Sequence, residues 1–140
     1  MEDRRSFLTM LAALAAAAPE AQGAPQQEAA APPRQSRTVG AFPLPPPYEQ
    51  QTATFVELYI PPGKPSKAHK HPGFVLGYVI EGEFRFQVAG QPERILRSGE
   101  IFYEAPGATH TLSESANPDR PARVLAIVIA ESGKPITEPA

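Results

Sequence analysis

The chain contains three histidines, and their placement is the first chemical feature of the sequence. Two of them form His69-Lys70-His71. If this segment is extended, residues two apart point to the same side, so both imidazoles aim at one spot. A neutral imidazole carries one lone pair, which can ligate a metal ion, take a proton or accept a core hydrogen bond. A His-x-His pair alone does not choose among these uses. The third histidine, His110, follows the turn-like Ala105-Pro106-Gly107. It reaches the pair only if the sheet folds back on itself, as a barrel does. Glu104, just before the same turn, is the nearest carboxylate to His110 on its N-terminal side. Cysteine is absent, which excludes disulfides, zinc–thiolate sites and thiol nucleophiles. The sequence carries no phosphate-binding glycine-rich loop, no dinucleotide fingerprint and no nucleophile elbow.

The elements that must position these residues are strands. Thr54, Val56, Leu58 and Ile60 alternate with Phe55, Glu57 and Tyr59, and Pro61-Pro62-Gly63 ends the run. Phe74 to Ile80 is apolar, with Glu81-Gly82-Glu83 as a tight turn. Phe84, Phe86 and Val88 then alternate with Arg85 and Gln87 up to Ala89-Gly90-Gln91-Pro92. Short strands are expected at 93–97, 101–104 and 109–113, and the longest apolar one at 123–130. No stretch past residue 40 keeps helical periodicity for three turns. The expected class is all-β, a small antiparallel barrel or jelly roll. Phe74, Phe84, Phe86 and Phe102 are assigned to its core. With about 90 residues such a core is small, so metal binding or pairing into a homodimer would add stability.

Residues 48–134 resemble the cupin family through two ordered motifs. The first family motif reads Gly, five residues, His-x-His, Glu after three or four more, then Gly after six. The chain has Gly63, His69 and His71, and closes on Gly82 in Tyr78-Val79-Ile80-Glu81-Gly82. The second reads Gly, five residues, Pro-x-Gly, two residues, His, three residues, Asn. The chain has Gly99, Gly107 and His110 in register, with Ala105 at the Pro position, Pro106 one place on, and Glu114 replacing Asn. The resemblance implies a jelly-roll barrel holding one divalent metal ion on His69, His71 and His110. Iron, manganese, copper, nickel and zinc all suit such ligands.

The family's fourth ligand, a glutamate, is replaced by Val75. Three neutral imidazoles then leave open coordination positions, the geometry of a catalytic rather than a closed structural site. Glu104 is the candidate replacement. It would be a fourth ligand, a partner for a histidine N–H, a proton-transfer group, or simply a solvated carboxylate. Gln87 and Tyr103 are weaker candidates for the pocket lining. The resemblance implies a metal-dependent enzyme acting on a small organic molecule, as a dioxygenase or as a lyase or isomerase. The alternative is a non-catalytic module that binds a small ligand or a metal.

The N-terminus reads as an address. Asp3-Arg4-Arg5 leads into an apolar run from Phe7 to Ala18, too short for a stable membrane anchor, and Ala21-Gln22-Gly23 suits cleavage before Ala24. Arg4-Arg5-Ser6-Phe7-Leu8 resembles the bacterial twin-arginine signal, although Asp3 stands where Ser or Thr is usual. Residues 1–23 are therefore expected to be a signal peptide and the mature protein periplasmic; without the signal it would be cytoplasmic. Residues 24–47 read as a disordered linker rich in proline, alanine and glutamine, and residues 135–140 as a tail. The net charge of −2, with no basic stripe, gives no reason to expect nucleic acid as a partner. The segment from Thr38 to Tyr48 is a candidate to cross to a second copy.

Overall fold

The computed structural model describes residues 32–140. The signal-like segment and the first part of the expected linker lie outside the described residues. Ten strands follow in chain order: β1 (Gln35–Pro43), β2 (Gln51–Ile60), β3 (His69–Lys70), β4 (Phe74–Glu81), β5 (Glu83–Val88), β6 (Arg94–Arg97), β7 (Ile101–Glu104), β8 (Thr109–Ser115), β9 (Ala122–Glu131) and β10 (Glu138–Pro139). All ladders are antiparallel. They form two five-stranded sheets, ordered β1-β2-β9-β4-β7 and β10-β3-β8-β5-β6. This is the all-β jelly-roll class, with the sheets facing each other rather than closing into one continuous hydrogen-bonded barrel. No helix among the described residues is long and apolar enough to cross a membrane.

Alternation builds the core. On β9, Val124, Ala126, Val128 and Ala130 point inward, and on β4 Val75 and Val79 do the same. Phe84, Phe86 and Phe102 pack between the sheets with ring centroids 4.7–6.0 Å apart. Gly77 makes room for this cluster, because a Cβ there would fall 2.0 Å from the Phe102 ring. Phe74 does not join the core. Val75 is fully buried, so strand parity turns Phe74 to the outer face, where its ring meets Tyr103 at 6.2 Å. The same outer face exposes Leu76, Tyr78, Ile101 and Tyr103.

Two expected boundaries shift. The expected linker holds strand β1, which pairs with β2 of the same chain from Gln35↔Tyr59 to Pro43↔Thr52. Its Phe42 meets Phe55 edge-on at 5.7 Å. The first half of the segment expected to reach a neighbour is thus spent within its own sheet. Proline density suggested a linker, but the prolines at 45–47 follow the strand, and Thr38, Val39 and Phe42 are good strand formers. The expected tail holds β10, which pairs with β3, and Ile136 packs on the core.

The motif glycines Gly63, Gly82, Gly99 and Gly107 all have positive φ. At Gly82 a side chain would also meet the Pro121 carbonyl oxygen at 2.4 Å. At Gly107 (φ 71°) the turn aims its N–H at the His71 carbonyl, 2.8 Å away, which ties the two histidine segments together.

Candidate metal centre

The His-x-His pair sits where β3 ends. His69 lies on the strand, with His71 just beyond it, and the ring centroids are 5.0 Å apart. His110 is the direct cross-strand partner of His69 in the β3–β8 ladder, and their rings are 4.9 Å apart. One possible ligand atom from each of the three histidines lies within 4.8 Å of the others, so the trio could hold a metal ion.

Each ring is held by its neighbours. His69 Nδ1–H donates to the Lys67 carbonyl at 2.9 Å, and His71 Nδ1–H to the Ile136 carbonyl at 2.6 Å. Those bonds leave the Nε2 lone pair of both rings free, the tautomer that metal ligation needs. His110 Nδ1 lies 3.2 Å from Glu104 Oε1. Burial holds the His69 pKa below the usual histidine value; the Lys67 carbonyl and the Glu104 charge oppose that shift, while the other two histidines reinforce it.

Glu104 is 2% exposed, so it is not a solvated surface carboxylate. In the β4–β7 ladder its partner is Val75, the position where the family motif has glutamate. Both side chains point inward, so the carboxylate enters from the strand next to the one that carries it in the family motif. Its Oε2 lies 3.8 Å from His71 Nε2. Glu104 Oε2 and His110 Nε2 are both buried without a hydrogen-bond partner. A buried polar atom without a partner is costly. A cation among these atoms would relieve that cost, so the donor set fits a divalent metal. The carboxylate also offsets part of a +2 charge that three neutral imidazoles would leave bare.

The cluster opens into a cavity of about 380 Å³, within the range of small-molecule sites. Its inner wall is apolar, with Val56, Leu58, Phe84, Phe102, Ala126 and Val128. Its rim carries Arg34, Ser36, Thr38, Ser66, Lys67 and Thr137. Gln87 and Tyr103 do not line it. Gln87 donates to the Gln91 carbonyl at 3.1 Å, and Tyr103 sits on the outer face because its neighbour Glu104 points in.

Sequence reasoning missed three contributors. Arg34 reaches the cavity from just before β1. Ser113 turns inward because a bulge leaves Thr111 unpaired between His110↔Val88 and Leu112↔Gln87. Strict alternation from His110 would place Ser113 on the opposite face. The Ile136 carbonyl, in the expected tail, has no side-chain signature at all.

Comparison with known proteins agrees with this architecture. No curated protein sequence matches the chain. Among solved structures, a cupin-like protein from Thermotoga maritima is 26% identical (TM-score 0.54), over 63% of this chain and 64% of that one. A DMSP lyase from Ruegeria pomeroyi is 23% identical (TM-score 0.56), over 63% of this chain and 43% of that one. An oxalate oxidase in complex with glycolate is 21% identical (TM-score 0.52), over 62% of this chain and 45% of that one. The matched part is thus less than two thirds of each relative's own length. The cupin domain family matches residues 56–128, which hold all three histidines, Glu104 and both motifs, and the chain therefore belongs to the cupin family.

Proposed function

We propose that this chain is a metal-dependent enzyme that binds one divalent ion and acts on a small organic molecule in the cavity. The observation that carries the reading is the histidine trio itself. Two rings present a free Nε2 because their Nδ1–H groups are bonded to carbonyls, and the buried His110 Nε2 and Glu104 Oε2 lack partners. His69, His71 and His110 would hold the ion through Nε2. When bound, the ion would supply Lewis acidity toward a substrate oxygen or a site for oxygen activation.

The chain's own residues supply the rest. Glu104 Oε1 orients His110 through Nδ1, and its other oxygen faces the space between the imidazoles. There it either completes the ligand set or takes a substrate proton. The apolar wall excludes water from the reacting end of the substrate and strengthens every charge interaction there. Dioxygenase chemistry on an enol, diketone or phenolic compound is the leading version, with lyase or isomerase chemistry next. The cupin fold of the DMSP lyase and of the oxalate oxidase is compatible with either.

The test is metal content by mass spectrometry on protein isolated from its native compartment, beside His69→Ala/His71→Ala. About one equivalent of iron, manganese, copper, nickel or zinc, lost in the variant, supports the reading. No metal in either sample overturns it. Turnover that vanishes with chelator and returns with one metal separates an enzyme from a binding module. Export by the twin-arginine route belongs to the same proposal: Arg4→Lys/Arg5→Lys should leave the protein in the cytoplasm, and unchanged export would reject that route.

A further inference from the structure

The cavity has a second chemical end. Its inner end is the histidine cluster; its rim carries Arg34, which lies outside the family-matched residues 56–128. The guanidinium is fixed in place. Its NH1 donates to the Ser113 carbonyl at 3.1 Å and its NH2 to Ser113 Oγ at 2.8 Å. Ser113 is itself 1% exposed and turned inward by the Thr111 bulge, so the anchor is rigid. Arginine carries five N–H donors in one plane, and two are used here, which leaves donors for a guest. Burial lowers the Arg34 pKa from its ordinary value, which marks a partly desolvated cation, although the group keeps its charge at neutral pH.

The charges around it point one way. Lys67 lines the same rim, and among the described residues Glu104 is the single carboxylate of the lining, placed at the histidines rather than near the mouth. Among the described residues no carboxylate pairs with Arg34. The remaining rim groups, Ser36, Thr38, Ser66 and Thr137, are hydroxyls. A partly buried cation in such a mouth is best satisfied by an anion with two oxygens in a plane, which matches the guanidinium fork.

We propose that the guest of this cavity is a small organic carboxylate, held by Arg34 at the rim while its other end meets the histidine cluster. This rests on the reading of the cavity as a substrate site. Arg34 acts as a specificity-determining residue: it fixes which end of the guest points outward.

The test is calorimetric titration of the full chain with three carboxylates (malonate, lactate and benzoate) and with their neutral amides. It uses wild type, Arg34→Gln and Arg34→Lys, each checked for folding by circular dichroism. At least one carboxylate should bind wild type and its amide should not. Arg34→Gln should weaken that binding by about 10- to 100-fold, as expected for a charge-assisted bidentate pair, and Arg34→Lys should restore only part of it. Equal binding to Arg34→Gln, equal binding of the amides, or no carboxylate binding to wild type overturns the proposal. Metal content measured on the same samples separates the two readings. Protein without metal that still binds a carboxylate through Arg34 rejects the metal centre and keeps this site. Metal-loaded protein indifferent to Arg34 does the reverse.

Discussion

The inner end of the cavity comes from one stretch of the chain, and the rim only partly so. The inner end comes from residues 56–128: His69, His71, Glu104 and His110 all lie there, on or beside strands shared with the cupin family. The rim adds both flanks to that region: Arg34, Ser36 and Thr38 precede it and Thr137 follows it, while Ser66 and Lys67 lie within it. The difference is instructive. The residues proposed to hold the metal sit in the stretch that matches the cupin family. Most of the residues proposed to meet the rest of the guest sit on segments that flank this stretch.

The sharpest way to break this division is at the inner end. His71→Ala should abolish stoichiometric metal binding while leaving Arg34-dependent carboxylate binding measurable. Metal retained at one equivalent would end the assignment. A packing change should act on stability instead. Phe84 is fully buried and lines the cavity, so Phe84→Ala should cost about 3–5 kcal/mol in urea unfolding. A value near zero would mean that the aromatic cluster is not the core.

Glu104→Gln should come next. It keeps the shape but removes the charge beside His110 and His71, and should weaken metal affinity by about 10- to 100-fold in a chelator competition. Unchanged affinity would confine Glu104 to proton transfer. On the flank, deleting residues 136–140 removes the carbonyl that orients His71 and should weaken metal binding by about tenfold or less. A larger loss would move that flank into the metal-holding set.

The smallest effect belongs to the clamp that holds β1 in place. Glu57 accepts from Arg123 and, at 2.8 Å, from Arg37 on β1, and these bonds hold its pKa below the usual carboxylate value. A depressed folded pKa gives stability that is present above the unfolded value and lost as pH falls through the folded one. Glu57→Gln should therefore weaken the fold slightly at neutral pH, with the gap to wild type closing below about pH 4. A gap as wide at acid pH, well below the ordinary carboxylate range, as at neutral pH would mean that the effect is not this titration.

Much of the inner end could be read from residue order, because turns and ligands there are local. The glycines of both motifs mark positive-φ turns, and the histidines follow them at fixed distances. A carboxylate at 104 standing in for one at 75 could be suspected but not placed, since only the ladder register makes Val75 and Glu104 neighbours. Phe74 lies outside the core expected to hold it because an apolar run leaves its parity open, and Val75 is the residue that faces inward. Ser113 was hidden by a one-residue bulge, which exchanges the two faces of β8 beyond it. Arg34 was masked by its company, a proline-rich stretch whose average composition says nothing about one side chain.

Strand β3 is two residues long, joined to β8 through His69↔His110 and Lys70↔Thr109 and to β10 through His69↔Pro139 and Lys70↔Glu138. So few bonds make this corner a region that opens more readily than the long β2–β9 ladder. A ligand that bridges His69 and His110 would favour the closed corner in proportion to its concentration and affinity. The exchange rate of the few backbone amides there then becomes a gauge of occupancy, read in deuterium uptake without any assay for turnover.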